Sequence, residues 1–209
     1  MDQTGIWPAR MEWAEPCVIY PPGDALTMIV TECEIAGLKI IEPEFFGDER
    51  GFFFESFNVR RYADRAGLTE AFVQDNHSRS AQGVLRGLHY QLRHPQGKLI
   101  RVTHGEVFDV AVDLRRSSPT FGRAQSVNLS ADNHRQFWIP AGFAHGFLVM
   151  SDFADVLYKS TAYWDSEDEH CLAWDDPEIA IEWPLAGSRP VLSPRDETGG
   201  SLRTVTPFP

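Results

Sequence analysis

From residue 71 to residue 184 the chain is a succession of short blocks in which apolar and polar residues alternate, divided by turn-forming residues. The blocks are AFVQDNHS, VLRGLHYQ, KLIRVTHG, EVFDVAVDL, RAQSVNLS, RQFWIP, HGFLVM, ADVLYKSTAYW and IAIEWP. Alternation places successive side chains on opposite faces of a strand, and short strands returning after each turn pair antiparallel. The pattern predicts an all-β fold, an antiparallel sandwich or barrel. Upstream, LKIIEPEFF and FFFESF flank the charged turn GDERG and read as a hairpin. Asn58 then opens NVRRYADRAGL as the cap of a short helix that ends at Gly67.

The blocks leave two stretches outside. Residues 1–33 carry Pro8, Pro16, Pro21 and Pro22 with Trp7 and Trp13, and read as an extended arm. Residues 187–209 are rich in Pro, Gly and Ser and read as a tail over the surface of the domain formed by residues 34–186. A chain of 209 residues that is 43% hydrophobic has enough apolar side chain for one sizeable core. Its net charge of -11 repels nucleic acid and anionic membranes, so neither is expected as a partner. No apolar run reaches the roughly 20 residues of a membrane span. Cys17, Cys33 and Cys171 are odd in number and unpaired in spacing, which suggests neither a disulfide framework nor a zinc knuckle and fits a reducing cytoplasm.

The stretch from Gly83 to Asp113 concentrates His, Arg and Lys among strand-forming residues, and a basic side chain there must face solvent or a polar cavity. Strict alternation in VLRGLHYQ would send Arg86 and His89 to opposite faces. Gly87 between them is a plausible bulge, which would turn both into one cavity; otherwise Arg86 is solvated and His89 is a core histidine. In EVFDVAVDL, Asp109 shares a face with Val107, Ala111 and Asp113, where it either orients a base or Lys98, or is a surface acid. His145 follows a Pro-Gly turn in IPAGFAHGF, a spacing similar to the second signature of cupin barrels. His89, His104 and His145 could converge there, but the absence of an HxH pair and a nearby carboxylate argues against a catalytic metal. Tyr158 in ADVLYKSTAYW is either core filler or an acid opposite His89.

Taken together, GDERGFFFESF, FVQDNHS, VLRGLHYQ, QGKLIRV, GEVFDVAVDLR, SPTFG, NLS, WIPAGFAHGF, LYKSTAYW and WDDP resemble the dTDP-4-dehydrorhamnose 3,5-epimerase family from about Leu38 to Asp196. The resemblance implies an antiparallel, cupin-like jelly-roll barrel with a few short helices that works without metal or other cofactor. It also implies a homodimer in which an N-terminal strand of one subunit completes the partner's site. By the same resemblance His89 is the base, Asp196 in the tail holds its imidazole, Tyr158 is the acid and Lys98 stabilises an enolate oxygen. Arg50, Glu55, Gln74, Asn76, Arg86, His145, Glu169 and Arg195 surround the substrate, a dTDP-4-keto-6-deoxyhexose, and Trp164 stacks on thymine. The family often has Tyr at the position of Trp164, Lys at that of Arg195 and Gly at that of His170, departures that bear on fine specificity.

The expected reaction converts dTDP-4-dehydro-6-deoxy-D-glucose to dTDP-4-dehydro-L-rhamnose. A 4-keto group acidifies the protons on C3 and C5, so a base removes one and an acid returns a proton to the opposite face. The alternatives are epimerisation at C3 alone, a keto-isomerase, a metal-dependent cupin enzyme and a non-catalytic sugar-nucleotide binding module.

Overall fold

The computed structural model describes residues 28–209. Most of the extension expected over residues 1–33, Cys17 included, lies outside the described residues. Thirteen strands form in chain order: β1 (Ile29–Glu32), β2 (Lys39–Glu42), β3 (Phe45–Asp48), β4 (Gly51–Phe54), β5 (Gln74–Ala81), β6 (Leu85–Gln91), β7 (Lys98–His104), β8 (Glu106–Asp113), β9 (Ala124–Ser130), β10 (Gln136–Ile139), β11 (Phe143–Val149), β12 (Phe153–Ser160) and β13 (Glu169–Cys171). One α-helix, α1 (Val59–Ala66), and a single 3-10 turn at Asp196–Thr198 complete the regular structure among the described residues.

The strands make two main sheets, ordered β1-β2-β10-β7-β12-β5 and β13-β6-β11-β8-β9, with β3-β4 as a separate hairpin. The named pairs within them are antiparallel. This is the predicted antiparallel jelly roll. Its central core lies between the sheets, where Ile100, Val102, Phe137, Ile139 and Val156 of the first meet Val107, Ala111, Leu129, Phe147 and Val149 of the second. Alternation along β8 sends Val110 and Val112 to the opposite face, where they join Leu88, Tyr90 and Leu114 in a second cluster. Both faces of this sheet are therefore covered.

The cover on that outer face comes from the expected strand IAIEWP and from the tail of residues 187–209, which the sequence pattern assigned to the surface. Ile179, Ile181, Trp183, Leu202, Val205 and the buried Phe208 pack on the outer cluster. The Phe208 amide donates to the Leu114 carbonyl at 2.8 Å. The expected strand IAIEWP is irregular instead. Its apolar residues pack on the outer cluster instead of joining a ladder, and Ala180 takes a positive φ of 52° that a regular strand does not contain. Ile29–Glu32, inside the stretch read as extension, pairs with β2 as an edge strand.

The helix forms as its caps predict. The Asn58 side chain accepts from the Arg60 and Arg61 amides at 3.0 and 3.1 Å, and Gly67 ends it with φ 69°. Tyr62 and Ala66 bury against Ile41, Leu99 and Trp138, so the helix covers part of the outer face of the first sheet.

Candidate active site

The site begins with a slip in register. Between β6 and β11, His145 pairs with His89 but Phe147 pairs with Arg86, so β6 uses one more residue than its neighbour. The extra residue falls at the glycine. Gly87 has φ 119°, and a Cβ there would stand 2.6 Å from both the Gly146 Cα and the His145 carbonyl oxygen. The bulge cancels the alternation that would have separated Arg86 from His89, and both line one cavity of about 220 Å³. His89 is thereby removed from the core-histidine reading.

The opposing sheet supplies the rest of the wall. Gln74, Asn76 and Ser78 alternate along β5, Tyr158 lies opposite Asn76 on β12, and Lys98 begins β7; all five face the same cavity. Ser78, Gln96 and Phe147 also line it and were not singled out in the sequence. The two-residue step from Gln74 through Asn76 would have pointed to Ser78. Its hydroxyl is buried without a partner.

His89 is held from the tail. Its Nε2 lies 2.6 Å from Asp196 Oδ1; the other carboxylate oxygen accepts from Ser193 Oγ at 2.7 Å, and the Gly87 amide donates to Oδ1 at 3.3 Å. Burial alone would raise the pKa of Asp196, but the hydrogen bonds from His89 and Ser193 outweigh it and hold the carboxyl below its ordinary value. An ionised carboxylate can only accept. Nε2 therefore carries the hydrogen, and the lone pair of the neutral ring resides on Nδ1. The tail reaches this position because Val191 bonds backbone to backbone with Gly83 and Leu85, at 2.8 and 3.0 Å.

A second imidazole–carboxylate pair lies beside it. His145 Nε2 is 3.0 Å from each oxygen of Asp109, which is fully buried in β8. Burial pushes the Asp109 carboxyl up, and His145 and Lys98 only partly offset this. Of the two readings of Asp109, the surface acid is thus excluded: alternation aims it into the space between the sheets. Lys98 is also buried, and desolvation lowers it to about 8 although Asp109 acts in the opposite sense. Its Nζ is 6.0 Å from the centre of the Tyr158 ring. Burial raises the Tyr158 phenol, with Arg86 pulling against it.

The remaining expected residues divide. Gln74 bridges Asn76 and the Trp164 amide, both at 2.9 Å, and half of the Trp164 surface stays open at the cavity rim. Glu169 lines the cavity and forms an ion pair with exposed Arg195. Arg50 and Glu55 do not join them within this chain. Arg50 sits on the β3-β4 turn against Asp48, with Nε 3.0 Å from Oδ2. Glu55 accepts from Asn58 Nδ2 at 3.0 Å. His104 does not converge with His89 and His145; its ring stacks on Phe153 at 4.2 Å. Among the described residues, the group able to hold a metal ion is His89, Cys171 and Asp196.

A larger groove of about 360 Å³ opens on the outer face of the first sheet. Size does not select it. Its Asp75 and Lys159 neutralise each other at 2.9 Å and its His77 is largely exposed, whereas the smaller cavity gathers buried acids and bases.

Acid–base groups collected inside a jelly roll equip a cupin-like barrel for proton transfer, and comparison with known proteins gives the family. Residues 32–204 match the family described as dTDP-4-dehydrorhamnose 3,5-epimerase, and the chain belongs to it. It is 57% identical over 182 residues to the dTDP-4-dehydrorhamnose 3,5-epimerase of Pseudomonas aeruginosa, covering 87% of this chain and 100% of the relative. Among solved structures it resembles the dTDP-6-deoxy-D-glucose-3,5-epimerase of Legionella pneumophila in complex with dTDP-4-keto-L-rhamnose. That match has 55% identity and a TM-score of 0.83, and it covers 86% of this chain and 95% of the other. A 3′-monoepimerase from Streptomyces bikiniensis in complex with dTDP-quinovose is 32% identical with a TM-score of 0.77, covering 83% of this chain and 87% of that one.

Proposed function

We propose that the cavity epimerises dTDP-4-dehydro-6-deoxy-D-glucose at C3 and C5, with His89 as base, Tyr158 as acid, Lys98 as the cation facing the enolate oxygen and Asp196 as the positioning residue behind His89. The observation that carries this reading is the 2.6 Å contact between His89 and Asp196 inside the cavity that also holds Tyr158 and Lys98. The Nδ1 lone pair takes the proton from carbon. The electrons move onto the 4-keto oxygen, and Lys98 stabilises the charge that develops there. Tyr158, with its pKa raised, holds its proton at neutral pH and delivers it to the opposite face once the phenolate can be offset by a cation such as Arg86. Substrate and product have the same oxidation state, so the scheme uses no redox cofactor.

Arg86, Gln74, Asn76, His145, Glu169 and Arg195 are assigned to the sugar and diphosphate, and the open ring of Trp164 to thymine. The body formed by residues 34–186 supplies all of the set except Asp196 and Arg195, which come from the tail of residues 187–209. Arg50 and Glu55 are assigned to a partner's site in a homodimer completed by an exchanged N-terminal strand. The exposed Phe46, Phe52 and Phe53 on and beside their hairpin support that assignment. No helix among the described residues is long and apolar enough to cross a membrane; a cytoplasmic location fits the free thiols of Cys33 and Cys171.

The test is product NMR in deuterium oxide. Solvent label at both C3 and C5 supports the proposal. Label at C3 alone assigns the narrower activity, which the likeness to a 3′-monoepimerase keeps in view. No label at either carbon overturns the proton-transfer reading.

A further inference from the structure

Cys171 is a donor beside the dyad that the proposed proton transfer leaves unused. It stands on β13 directly opposite His89 in the register. Its sulfur, a ring nitrogen of His89 and a carboxylate oxygen of Asp196 lie within 4.8 Å of one another. Thiolate, imidazole and carboxylate form a donor set for thiophilic divalent cations rather than for Mg²⁺ or Ca²⁺. Tetrahedral donors around zinc stand roughly 3.5 Å apart, so each pair needs to move by only about 1 Å.

We propose that Cys171, His89 and Asp196 form an inhibitory site for Zn²⁺ or a similarly thiophilic divalent cation, whose occupation silences the base. The silencing rests on the reading of His89 as that base. With Asp196 as its partner, the ring carries hydrogen on Nε2 and the lone pair on Nδ1. A cation on Nε2 displaces that hydrogen, and the neutral ring then carries its single hydrogen on Nδ1, where the lone pair was. The thiol releases its proton to solvent, so binding liberates one proton net while the ring proton only changes nitrogen.

The test uses the full chain with Cys17 and Cys33 replaced by serine, leaving Cys171 as the single thiol. Cd²⁺ is titrated while its ultraviolet thiolate charge-transfer band is read, and Zn²⁺ is titrated against substrate deuterium exchange. The band should saturate at one equivalent and vanish in Cys171→Ser, which should need at least about tenfold more Zn²⁺ for half-inhibition. Excess Mg²⁺ should change neither readout. Absence of the band, or equal Zn²⁺ inhibition with and without Cys171, overturns the site while leaving the base assignment intact. A Cys171-dependent band with undiminished exchange overturns the silencing and counts against His89 as base. Should Cys171→Ser fail to fold, Asp196→Asn retains the thiol and should still weaken Cd²⁺ binding; unchanged affinity there overturns the site.

Discussion

Two imidazole–carboxylate pairs stand side by side in this cavity, His89 with Asp196 and His145 with Asp109, on histidines that are register partners of β6 and β11. Their surroundings differ. Asp196 comes from a turn outside the sheet and collects donors from His89, Ser193 and the Gly87 amide, which keep it ionised. Asp109 sits in mid-strand, fully buried, and its burial drives it toward the neutral form. About a quarter of the His89 side chain is open, against 7% for His145. A proton shuttle needs access and a fixed anion behind it; a buried pair with a weakly held charge suits positioning and the tuning of Lys98. The chemistry of each pair follows from what its carboxylate touches.

The largest expected effect comes from His89→Ala, which should lower turnover by roughly 10²–10⁴-fold with loss of solvent exchange. In the same assay Tyr158→Phe should spare label uptake and impair completed inversion. Exchanging the carboxylates separates the pairs. Asp196→Asn should cost on the order of 100-fold in kcat and change the acidic limb of the pH profile, whereas Asp109→Asn should cost less and leave that limb in place. Equal losses and equal profiles would erase the distinction.

Lys98 gives a pH prediction. It must be charged to stabilise an enolate, and burial lowers it to about 8, so activity should fall as pH rises through about 8. Replacement by methionine should remove that limb and most of the activity, and kcat against pH is the measurement.

The smallest effects concern stability, read from urea midpoints between pH 4 and 7. The depressed Asp196 contributes stability present above the ordinary carboxylate pKa and lost as pH falls through its folded value. The raised Asp109 contributes stability at low pH that is lost as pH rises through its folded value. Asp196→Asn should therefore destabilise almost equally at pH 4 and pH 7, its effect fading only below the ordinary carboxylate range, whereas Asp109→Asn should destabilise more at pH 4 than at pH 7. The same pH dependence of the midpoint shift in both variants would contradict the opposed environments. Gly87→Ala should cost roughly 1–3 kcal/mol from its strained φ, and more if the Gly146 backbone cannot give.

Much of this was legible because it is local. Alternation marked the strands, Asn58 and Gly67 marked the helix ends, and a glycine between Arg86 and His89 marked the slip that the register contains. The Asp109–His145 contact was not legible, since alternation names a face without saying whether another sheet covers it. For the same reason Ile179, Ile181 and Trp183 read as a strand: the sequence carries the period of a buried face, and only packing shows that they cover a sheet face without joining a ladder. The tail was misread through its Pro and Gly, which describe its backbone. Val205 and Phe208 describe its destination. Arg50 and Glu55 stay apart from the cavity within one chain, a placement no single-chain pattern could reveal.

Label uptake from deuterium oxide into C3 and C5 of dTDP-4-dehydro-6-deoxy-D-glucose, followed by NMR with His89→Ala and His145→Asn side by side, tests the central claim most directly. The account predicts no uptake with His89→Ala and continued, slower uptake with His145→Asn. Uptake that survives in His89→Ala, or that is lost only in His145→Asn, would contradict it.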